Sequence, residues 1–215
     1  MLGGVQKWLP HEIDVERASP AMLSRCMQGG KTTVLCRLFQ ALRQQGYCPV
    51  FVSFNGAQKL QQLDRERDSI ETLTRGIAIS LMAVPPEETS AVSCSRQVLK
   101  AYLNKHSKVV LLIDELSMLL KPGCADRHKR AGAFLRDEFL DRPDRFLVFS
   151  THFPITAGIQ ELLGLGSGSD RDATPIPMPT SFNLAELREM HLECRSLTGC
   201  QVLFYSGIPA LIYSV

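Results

Sequence analysis

Short apolar segments alternate with amphipathic segments along this chain, and the alternation predicts strands and helices in turn. Four segments have the length and the apolar content of β-strands, at residues 21–24, 49–54, 109–113 and 145–150. Between and after them, apolar residues recur at the spacing of one helix face, which predicts helices at 34–42, 70–81, 98–103 and 131–139. A strand-helix-strand order requires parallel strands joined by right-handed crossovers. The pattern therefore predicts an α/β fold with a mainly parallel central sheet.

The C-terminal part of the sequence changes in composition. Residues 164–179 are rich in Gly, Ser, Asp and Pro, which indicates a flexible loop. Apolar segments in and after this loop predict a short edge strand and two further helices, at 176–178, 183–190 and from 207 onward. Because core-like segments continue on both sides of the loop, we expect one domain over residues 20–215, preceded by an N-terminal extension over residues 1–19.

The first predicted helix is preceded by residues suited to holding a phosphate group. They read Gln28-Gly29-Gly30-Lys31-Thr32-Thr33. Glycines let backbone N–H groups close around a phosphate, and the start of a helix adds positive potential. We expect Lys31 to reach the β- and γ-phosphate oxygens and the Thr32 hydroxyl to bind Mg²⁺. The full phosphate-loop pattern has glycine where this chain has Arg25, so the match is partial, and a surface turn with an exposed lysine is the alternative.

A second element of the same kind of site occurs at residues 109–115. They read VVLLIDE, which predicts a buried strand that ends in two carboxylates. Open α/β sheets place ligands at the carboxyl ends of their strands. Asp114 is expected to hold Mg²⁺, directly or through water, and Glu115 to polarise the attacking water as general base. Alone, such an acidic pair is as often the solvated start of a helix, but its combination with Gly30-Lys31-Thr32 favours a nucleotide site.

Composition narrows the class of protein without naming a function. Of the 215 residues 45% are apolar, which is enough for a sizeable core. The formal net charge is only +2 and the basic residues are scattered, so charge alone does not support nucleic-acid binding. Seven cysteines without a C-x-x-C pair fit free thiols in a reducing compartment. No secretion signal or membrane-spanning segment is visible, so we expect an intracellular protein of the nucleus or cytoplasm.

The pairs Lys31-Thr32 and Asp114-Glu115 together resemble the ATPase core of the AAA-like and STAND (signal-transduction NTPase) group of P-loop proteins. The resemblance implies a P-loop NTPase with a three-layer αβα fold and with ATP and Mg²⁺ as cofactors. It also implies that Ser150 and Thr151 lie on the sensor strand, where a polar side chain contacts the γ-phosphate or the attacking water. Gly207-Ile208-Pro209 is similar to the Gly-x-Pro element of this group, so Gly207 and Pro209 are expected near the nucleotide base.

Closer similarity comes from longer segments, which read SRCMQGGKTT, VFVSFNG, VVLLIDEL, FLRDEFLDRPDRFLVFSTHFPI and YSGIPALIY. Together they resemble the ATPase domain of the retrotransposon hot spot and Crinkler proteins, from about Pro20 to the last residue. In that group, Arg25 in the phosphate loop would be a family feature. The resemblance implies ATP binding and hydrolysis within larger proteins of nuclear or effector roles. Nucleic acid is an expected partner by family alone, and the protein partner stays open.

The same resemblance predicts a missing part. ATPases of this group continue past the Gly-x-Pro helix into a helical lid or winged-helix segment, whereas this sequence stops at Val215. We therefore expect a truncated lid, an uncovered apolar patch at 208–213 and self-association. Candidate arginine fingers are Arg142, Arg145 and Arg171. Without a lid or a finger, the chain is expected to bind ATP better than it hydrolyses it.

Two other functions fit parts of the sequence. Pro20-Ala21-Met22 before the glycines resembles the corresponding segment of thymidine kinases, which also carry an Asp-Glu pair at a strand end. One alternative is therefore a nucleoside-kinase-like phosphotransferase. The other is a non-enzymatic P-loop fragment that acts as an interaction module. No Asn-Lys-x-Asp motif for guanine is visible, and ATP rather than GTP is inferred from the resemblance. The leading interpretation is an Mg²⁺-dependent ATP-binding module that hydrolyses ATP.

Overall fold

The centre of the molecule is a parallel β-sheet. The structure, a computed structural model, describes residues 19–24, 30–54, 68–82, 95–119, 125–151, 159, 163 and 173–176. Within these residues the sheet has five strands, namely β1 (Ala21–Ser24), β2 (Cys48–Ser53), β3 (Val109–Asp114), β4 (Arg145–Thr151) and β5 (Thr174–Pro175). All four pairings between neighbouring strands are parallel. The prediction of an α/β fold with a mainly parallel sheet is confirmed.

The predicted edge strand near residue 176 lies slightly earlier in the chain. The observed strand covers Thr174–Pro175, and its neighbour Ile176 extends the ladder by donating its N–H to the Met22 carbonyl at 2.8 Å. The helices predicted after residue 183 and from 207 onward fall outside the described residues. The same holds for nearly all of the N-terminal extension and for the apolar patch at 208–213.

Four α-helices have their bounds in the described part of the chain: α1 (Lys31–Gln44), α2 (Ser69–Met82), α3 (Arg96–Leu103) and α4 (Ala125–Leu135). Each contains apolar positions that the sequence pattern predicts. The predicted helix over 131–139 differs, because α4 ends at Leu135 and residues Arg136–Leu140 form a π-helical turn. This turn ends where the Asp141 N–H donates to the Arg136 carbonyl at 2.9 Å. None of the helices in the described ranges is both long enough and apolar enough to cross a bilayer.

The order of the strands across the sheet is β2-β3-β4-β1-β5. From β1 the chain passes through α1 to β2 at the far edge, and β3 and β4 then fill the space between these two strands. β5 pairs with the other side of β1. The crossover that leaves β1 therefore runs one way across the sheet, and the later steps from β2 to β5 run the other way, which defines a switch point in the strand order. In open parallel sheets, ligands bind at the carboxyl ends of the strands beside such a switch point.

Alternate residues of each strand face opposite sides of the sheet, and helices cover both sides. Val110 and Leu112 of β3 pack with the buried face of α1. Leu111 and Ile113 face a larger core to which α2, α3 and α4 contribute. All six residues of β3 are buried, as its uninterrupted apolar sequence predicts. The molecule thus has three layers in the order helix, sheet, helix.

A buried charged cluster lies at the opposite end of the strands. Arg145, the first residue of β4, is only 2% exposed. Its Nη1 donates to Glu138 at both the carbonyl, 2.9 Å away, and Oε2, 3.1 Å away, and its Nη2 donates to Asn104 Oδ1 at 2.7 Å. Lys100 Nζ of α3 lies 3.0 Å from Oε1 of the fully buried Glu138. This Arg145 cluster ties α3, the π-helical turn and β4 together.

Gly76 marks a close approach between α2 and β2, and it allows a test of the packing. A Cβ at this position would lie 2.8 Å from Val52 Cγ1, and valine cannot turn away cheaply. Overpacking costs about 1–3 kcal/mol, while the better helix propensity of alanine returns about 1 kcal/mol. We therefore expect Gly76→Ala to destabilise the protein by about 1 kcal/mol.

Replacing Val52 by alanine removes the opposing methyl groups and serves as the matched background. There, Gly76→Ala is expected to stabilise by about 1 kcal/mol, since only the gain in helix propensity remains. Urea unfolding of the wild type, the two single variants and the double variant measures both effects. The same sign in both backgrounds would contradict the close contact.

Candidate functional site

Polar residues end three neighbouring strands at the carboxyl edge of the sheet. Ser53 ends β2 and is in register with Asp114, the last residue of β3. On the next strand, β4, Phe149 is in register with Ile113, which places Ser150 beside Asp114. The three side chains follow α1-facing positions of their strands, so they form a row in front of the amino end of α1.

Asp114 is the centre of this row. Its Oδ2 accepts hydrogen bonds from Thr32 Oγ1 at 2.8 Å and from Ser53 Oγ at 3.2 Å. Its Oδ1 accepts one from Ser150 Oγ at 2.7 Å. The residue is fully buried. A carboxylate removed from water is costly unless several donors compensate it, and these three hydroxyl groups do so with charge-assisted bonds.

Lys31 and Glu115 form an ion pair next to this row. Lys31 Nζ lies 3.3 Å from Glu115 Oε1, and both side chains are at least nine-tenths buried. Lys31 is the first residue of α1, and Glu115 directly follows β3. The predicted phosphate-binding lysine and the predicted general base are therefore in direct contact.

The backbone turns sharply at Glu115. Its φ of 60° lies in the left-handed region, which residues with a Cβ rarely adopt. The Glu115 N–H donates to Ser150 Oγ at 2.9 Å. The Glu115 carbonyl accepts from the Met118 N–H, also at 2.9 Å, at the start of the 3₁₀ turn Leu116–Leu119. Strained residues of this kind are concentrated at functional sites, because the surrounding structure must hold them in place.

The amino end of α1 is suited to an anion. Gly30 precedes the helix with a φ of 80°, a conformation in which any other residue would be strained. The first turn of α1 carries no acidic residue, and no side chain caps it. Helix N–H groups and the helix dipole therefore present positive potential beside Thr32 and Lys31.

The donor set fits Mg²⁺ better than a softer metal. Asp114 supplies a carboxylate and Thr32 a hydroxyl, both hard oxygen donors that lie 2.8 Å from each other. Mg²⁺ in nucleotide sites is held by one or two such groups together with phosphates and water. Within the described ranges, no cluster of three or more His, Cys, Asp and Glu side chains could form an all-protein metal cage.

Asp114 also influences a nearby thiol. Cys36 lies one helical turn beyond Thr32 on α1. Partial burial raises the pKa of the Cys36 thiol, and the negative charge of Asp114 raises this pKa further. The thiol therefore stays protonated at neutral pH and is a weak nucleophile.

The structure brings together half of the site residues that the sequence indicates. Gly30, Lys31 and Thr32 meet Asp114, Glu115 and Ser150 at the carboxyl edge of the sheet. Thr33 lies exposed in the first turn of α1, and Thr151 is buried at the end of β4. The other four predicted positions lie outside the described residues, namely Gln28, Gly29, Gly207 and Pro209. The roles assigned to all of these residues stay predictions.

One residue of the site was not predicted from the sequence, and one predicted residue lies away from the site. Ser53 was not singled out, although its hydroxyl reaches Asp114; the available signal was a polar residue that ends a strand next to the acidic strand. Arg145 was a candidate arginine finger, but it begins β4 at the amino edge of the sheet, away from the site. Its guanidinium is engaged with Glu138 and Asn104. It cannot reach the site of its own chain and acts in packing.

Comparisons with known proteins give matches among solved structures alone. No family model matches the sequence, and no curated protein matches it significantly. A Walker-type ATPase of Pyrococcus abyssi superposes with a TM-score of 0.62 and 12% identity, over 98% of this chain and 63% of its own. The replication initiator DnaA, bound to AMPPCP and single-stranded DNA, superposes with a TM-score of 0.51 and 12% identity, over 99% of this chain and 57% of the DnaA chain. A Drosophila ORC structure with AT-rich DNA and Cdc6 gives a TM-score of 0.51 and 12% identity, over 83% of this chain and 28% of the matched chain.

At this level of identity the likeness concerns the fold. This chain spans less than two thirds of the length of each of these three proteins. The strand order, the position of α1 directly after β1 in the chain order of elements and the acidic end of β3 agree with that likeness. The chain has the three-layer αβα fold of the P-loop ATPases.

Proposed function

We propose that this chain binds ATP together with Mg²⁺ at the carboxyl edge of its sheet and hydrolyses the γ-phosphate. The observation that carries the proposal is the contact between Thr32 and Asp114. A hydroxyl in the first turn of the phosphate-loop helix donates to a fully buried carboxylate at the end of β3, at 2.8 Å. These are the two oxygen donors that a nucleotide-bound Mg²⁺ requires from the protein.

Lys31 and the amino end of α1 would bind the phosphates. The ammonium group supplies a full positive charge, and the helix adds N–H donors and its dipole. Because Lys31 Nζ also lies 3.3 Å from Glu115 Oε1, phosphate oxygens compete with Glu115 for the ammonium. The carboxylate that Lys31 gives up is the one proposed to accept a proton from the attacking water.

Bound Mg²⁺ would supply charge neutralisation for the phosphate oxygens. The protein's part is to orient the groups around it. Thr32 and Asp114 would hold the ion, while Ser53 and Ser150 keep the Asp114 carboxylate in one orientation through their hydrogen bonds. Such hydrogen bonds to a ligating carboxylate are a common feature of metal sites.

Two further parts of the proposal rest on resemblance. The resemblance of the quoted segments to the retrotransposon hot spot and Crinkler proteins is the support for proposing an ATPase domain within a larger regulatory or effector protein. DNA-bound structures with the same fold support nucleic acid as a partner of such a protein. With a net charge of +2, we expect this chain alone to bind single-stranded DNA weakly. Fluorescence anisotropy with labelled DNA, with and without Mg-ATP, tests this; tight binding by the chain alone would contradict it.

The first experiment is calorimetric titration of the chain with Mg-ATP, repeated with EDTA and with Mg-GTP. Binding that requires Mg²⁺ supports the proposed site, and the comparison with GTP tests the base preference. Phosphate release then separates an ATPase from a non-enzymatic module. Phosphate transfer to deoxynucleosides would instead favour the nucleoside-kinase alternative. No binding of either nucleotide would refute the proposed function.

Glu115 and Asp114 have different proposed roles, and paired substitutions separate them. Glu115→Gln removes the base but keeps its shape, so we expect turnover to fall by about 10²-fold or more. Nucleotide affinity should stay within a few-fold, or become slightly tighter, because Lys31 is released from its ion pair. Asp114→Asn removes a metal ligand and should weaken Mg²⁺-dependent binding itself. Calorimetry and phosphate release on both variants provide the test; identical effects would contradict the separate roles.

A further inference from the structure

We infer that Ser150 is a positioning residue for Glu115: its hydroxyl holds the left-handed backbone that aims the Glu115 carboxylate at the phosphate site. The inference rests on the proposed function, because it concerns how the general base is placed. It differs from the role that the resemblance implies for Ser150, which is a direct contact with the γ-phosphate or the attacking water.

The hydrogen-bonding capacity of the Ser150 hydroxyl favours the positioning role. A serine hydroxyl has one proton to donate. Ser150 Oγ donates it to Asp114 Oδ1 at 2.7 Å and accepts the Glu115 N–H at 2.9 Å. The residue is fully buried. With its proton bound to Asp114, the hydroxyl cannot also donate to a phosphate oxygen.

The backbone that Ser150 contacts needs such support. The φ of 60° at Glu115 is unfavourable for a residue with a Cβ. The peptide group before Glu115 is bonded on both sides, since its carbonyl accepts from the Phe54 N–H at 3.0 Å and its N–H donates to Ser150. Ser150 supplies the only side chain in this arrangement. Among the described contacts of that peptide group, it is therefore the one that a substitution can remove.

The left-handed turn decides where the Glu115 carboxylate lies. Side chains alternate along a strand, and Asp114 follows Val110 and Leu112 on the α1 side of the sheet. A strand continued through Glu115 would direct its side chain to the opposite side. The turn instead brings Oε1 to 3.3 Å from Lys31 Nζ at the start of α1. Two consecutive carboxylates thereby face the same site.

Amide hydrogen exchange tests the backbone contact without any assay of function. In Ser150→Ala, the Glu115 N–H loses its acceptor, and we expect its exchange to become about five- to tenfold faster. Ser117→Ala is the matched control, because Ser117 is also buried, lies in the following 3₁₀ turn, and has no hydrogen-bond partner among the described residues. It should leave exchange at Glu115 unchanged. An unchanged rate in Ser150→Ala would overturn the inference.

Two further variants secure this test. Ser150→Thr keeps the hydroxyl and should restore the slow exchange at Glu115. If Ser150→Ala does not fold, Ser150→Cys allows the same comparison, since its thiol is a weak donor and a weak acceptor of similar size. Rapid exchange in the threonine variant, with folding intact, would also overturn the inference.

Turnover distinguishes positioning from direct contact with phosphate. Ser150→Ala is expected to lower kcat by about 10- to 100-fold, because the base is misplaced. The affinity for Mg-ATP should stay within about threefold, since Thr32 and Ser53 still donate to Asp114 Oδ2. In a Glu115→Gln background the same change should alter kcat by less than about twofold, since Ser150 acts through Glu115. Independent, multiplying effects would show that the hydroxyl acts on phosphate directly or through Asp114 and not through Glu115, and the inference would be wrong.

The two hypotheses fail in different ways. If the wild type binds no Mg-ATP in calorimetry, the proposed function fails, while the exchange rates still decide whether Ser150 holds the Glu115 backbone. If ATP binds and is hydrolysed but exchange at Glu115 does not respond to Ser150→Ala, the positioning role fails alone.

Discussion

Lys31→Ala is expected to lower the affinity for Mg-ATP by roughly 30- to 4,000-fold, which corresponds to the loss of about 2–5 kcal/mol. Lys31 supplies a full positive charge in the first turn of α1, and its side chain is only 3% exposed beside Glu115. A charge-assisted contact in such a desolvated place is strong. Calorimetric titration measures the loss. Unchanged binding by a folded variant would refute the assignment of this loop to phosphate.

Controls separate the loss of the phosphate contact from damage to the site. Lys105→Ala removes an exposed lysine at the end of α3 and should leave affinity unchanged. Lys31→Ala also deprives Glu115 of an ion-pair partner, so the double variant Lys31→Ala, Glu115→Gln removes both charges together. Its affinity should be as low as that of Lys31→Ala. Recovery of binding in the double variant would mean that a misplaced Glu115, and not the missing ammonium, had caused the loss.

The parts of this molecule that follow from local pattern were predictable from the sequence. β3 could be placed because five consecutive apolar residues before Asp114 leave little choice but a strand buried on both faces. The face of α1 that carries Leu35, Leu38 and Leu42 could be placed because helical spacing aligns them. The contact between Thr32 and Asp114 was predictable because both residues belong to known motifs of one kind of site. Thr32 lies at the start of the helix in the first motif, and Asp114 lies at the end of the strand in the second.

Contacts between strands that are distant in sequence were not predictable. Ser53 and Ser150 flank Asp114 only because β2 and β4 lie on either side of β3, and no local pattern determines that order. The left-handed φ at Glu115 could not be predicted for a similar reason, since the hydrogen bond that supports it comes from Ser150 on another strand. Arg145 was likewise predicted as a candidate arginine finger, because its contacts with Asn104 and with Glu138 of the π-helical turn cannot be read from local pattern.

Arg145→Ala is expected to destabilise the protein by about 3 kcal/mol, at the low end of the range for a broken buried ion pair. The substitution leaves the carboxylate of Glu138, which is fully buried, without its main partner. Lys100 still lies 3.0 Å from the other carboxylate oxygen, which limits the loss. Urea unfolding gives the change in free energy. The exposed pair between Arg96 and Asp137 is the control, and Asp137→Ala there should cost less than about 1 kcal/mol.

The double variant Arg145→Met, Glu138→Met tests why the single substitution is costly. If the cost comes from the stranded charge of Glu138, two apolar side chains of similar volume should restore stability to within about 1 kcal/mol of the wild type, or exceed it. If instead the guanidinium matters mainly through its bond to Asn104 Oδ1 at 2.7 Å, the double variant should be as unstable as Arg145→Ala. Neither Arg145→Ala nor the double variant should alter the affinity for Mg-ATP, because the Arg145 cluster lies at the opposite edge of the sheet from Asp114.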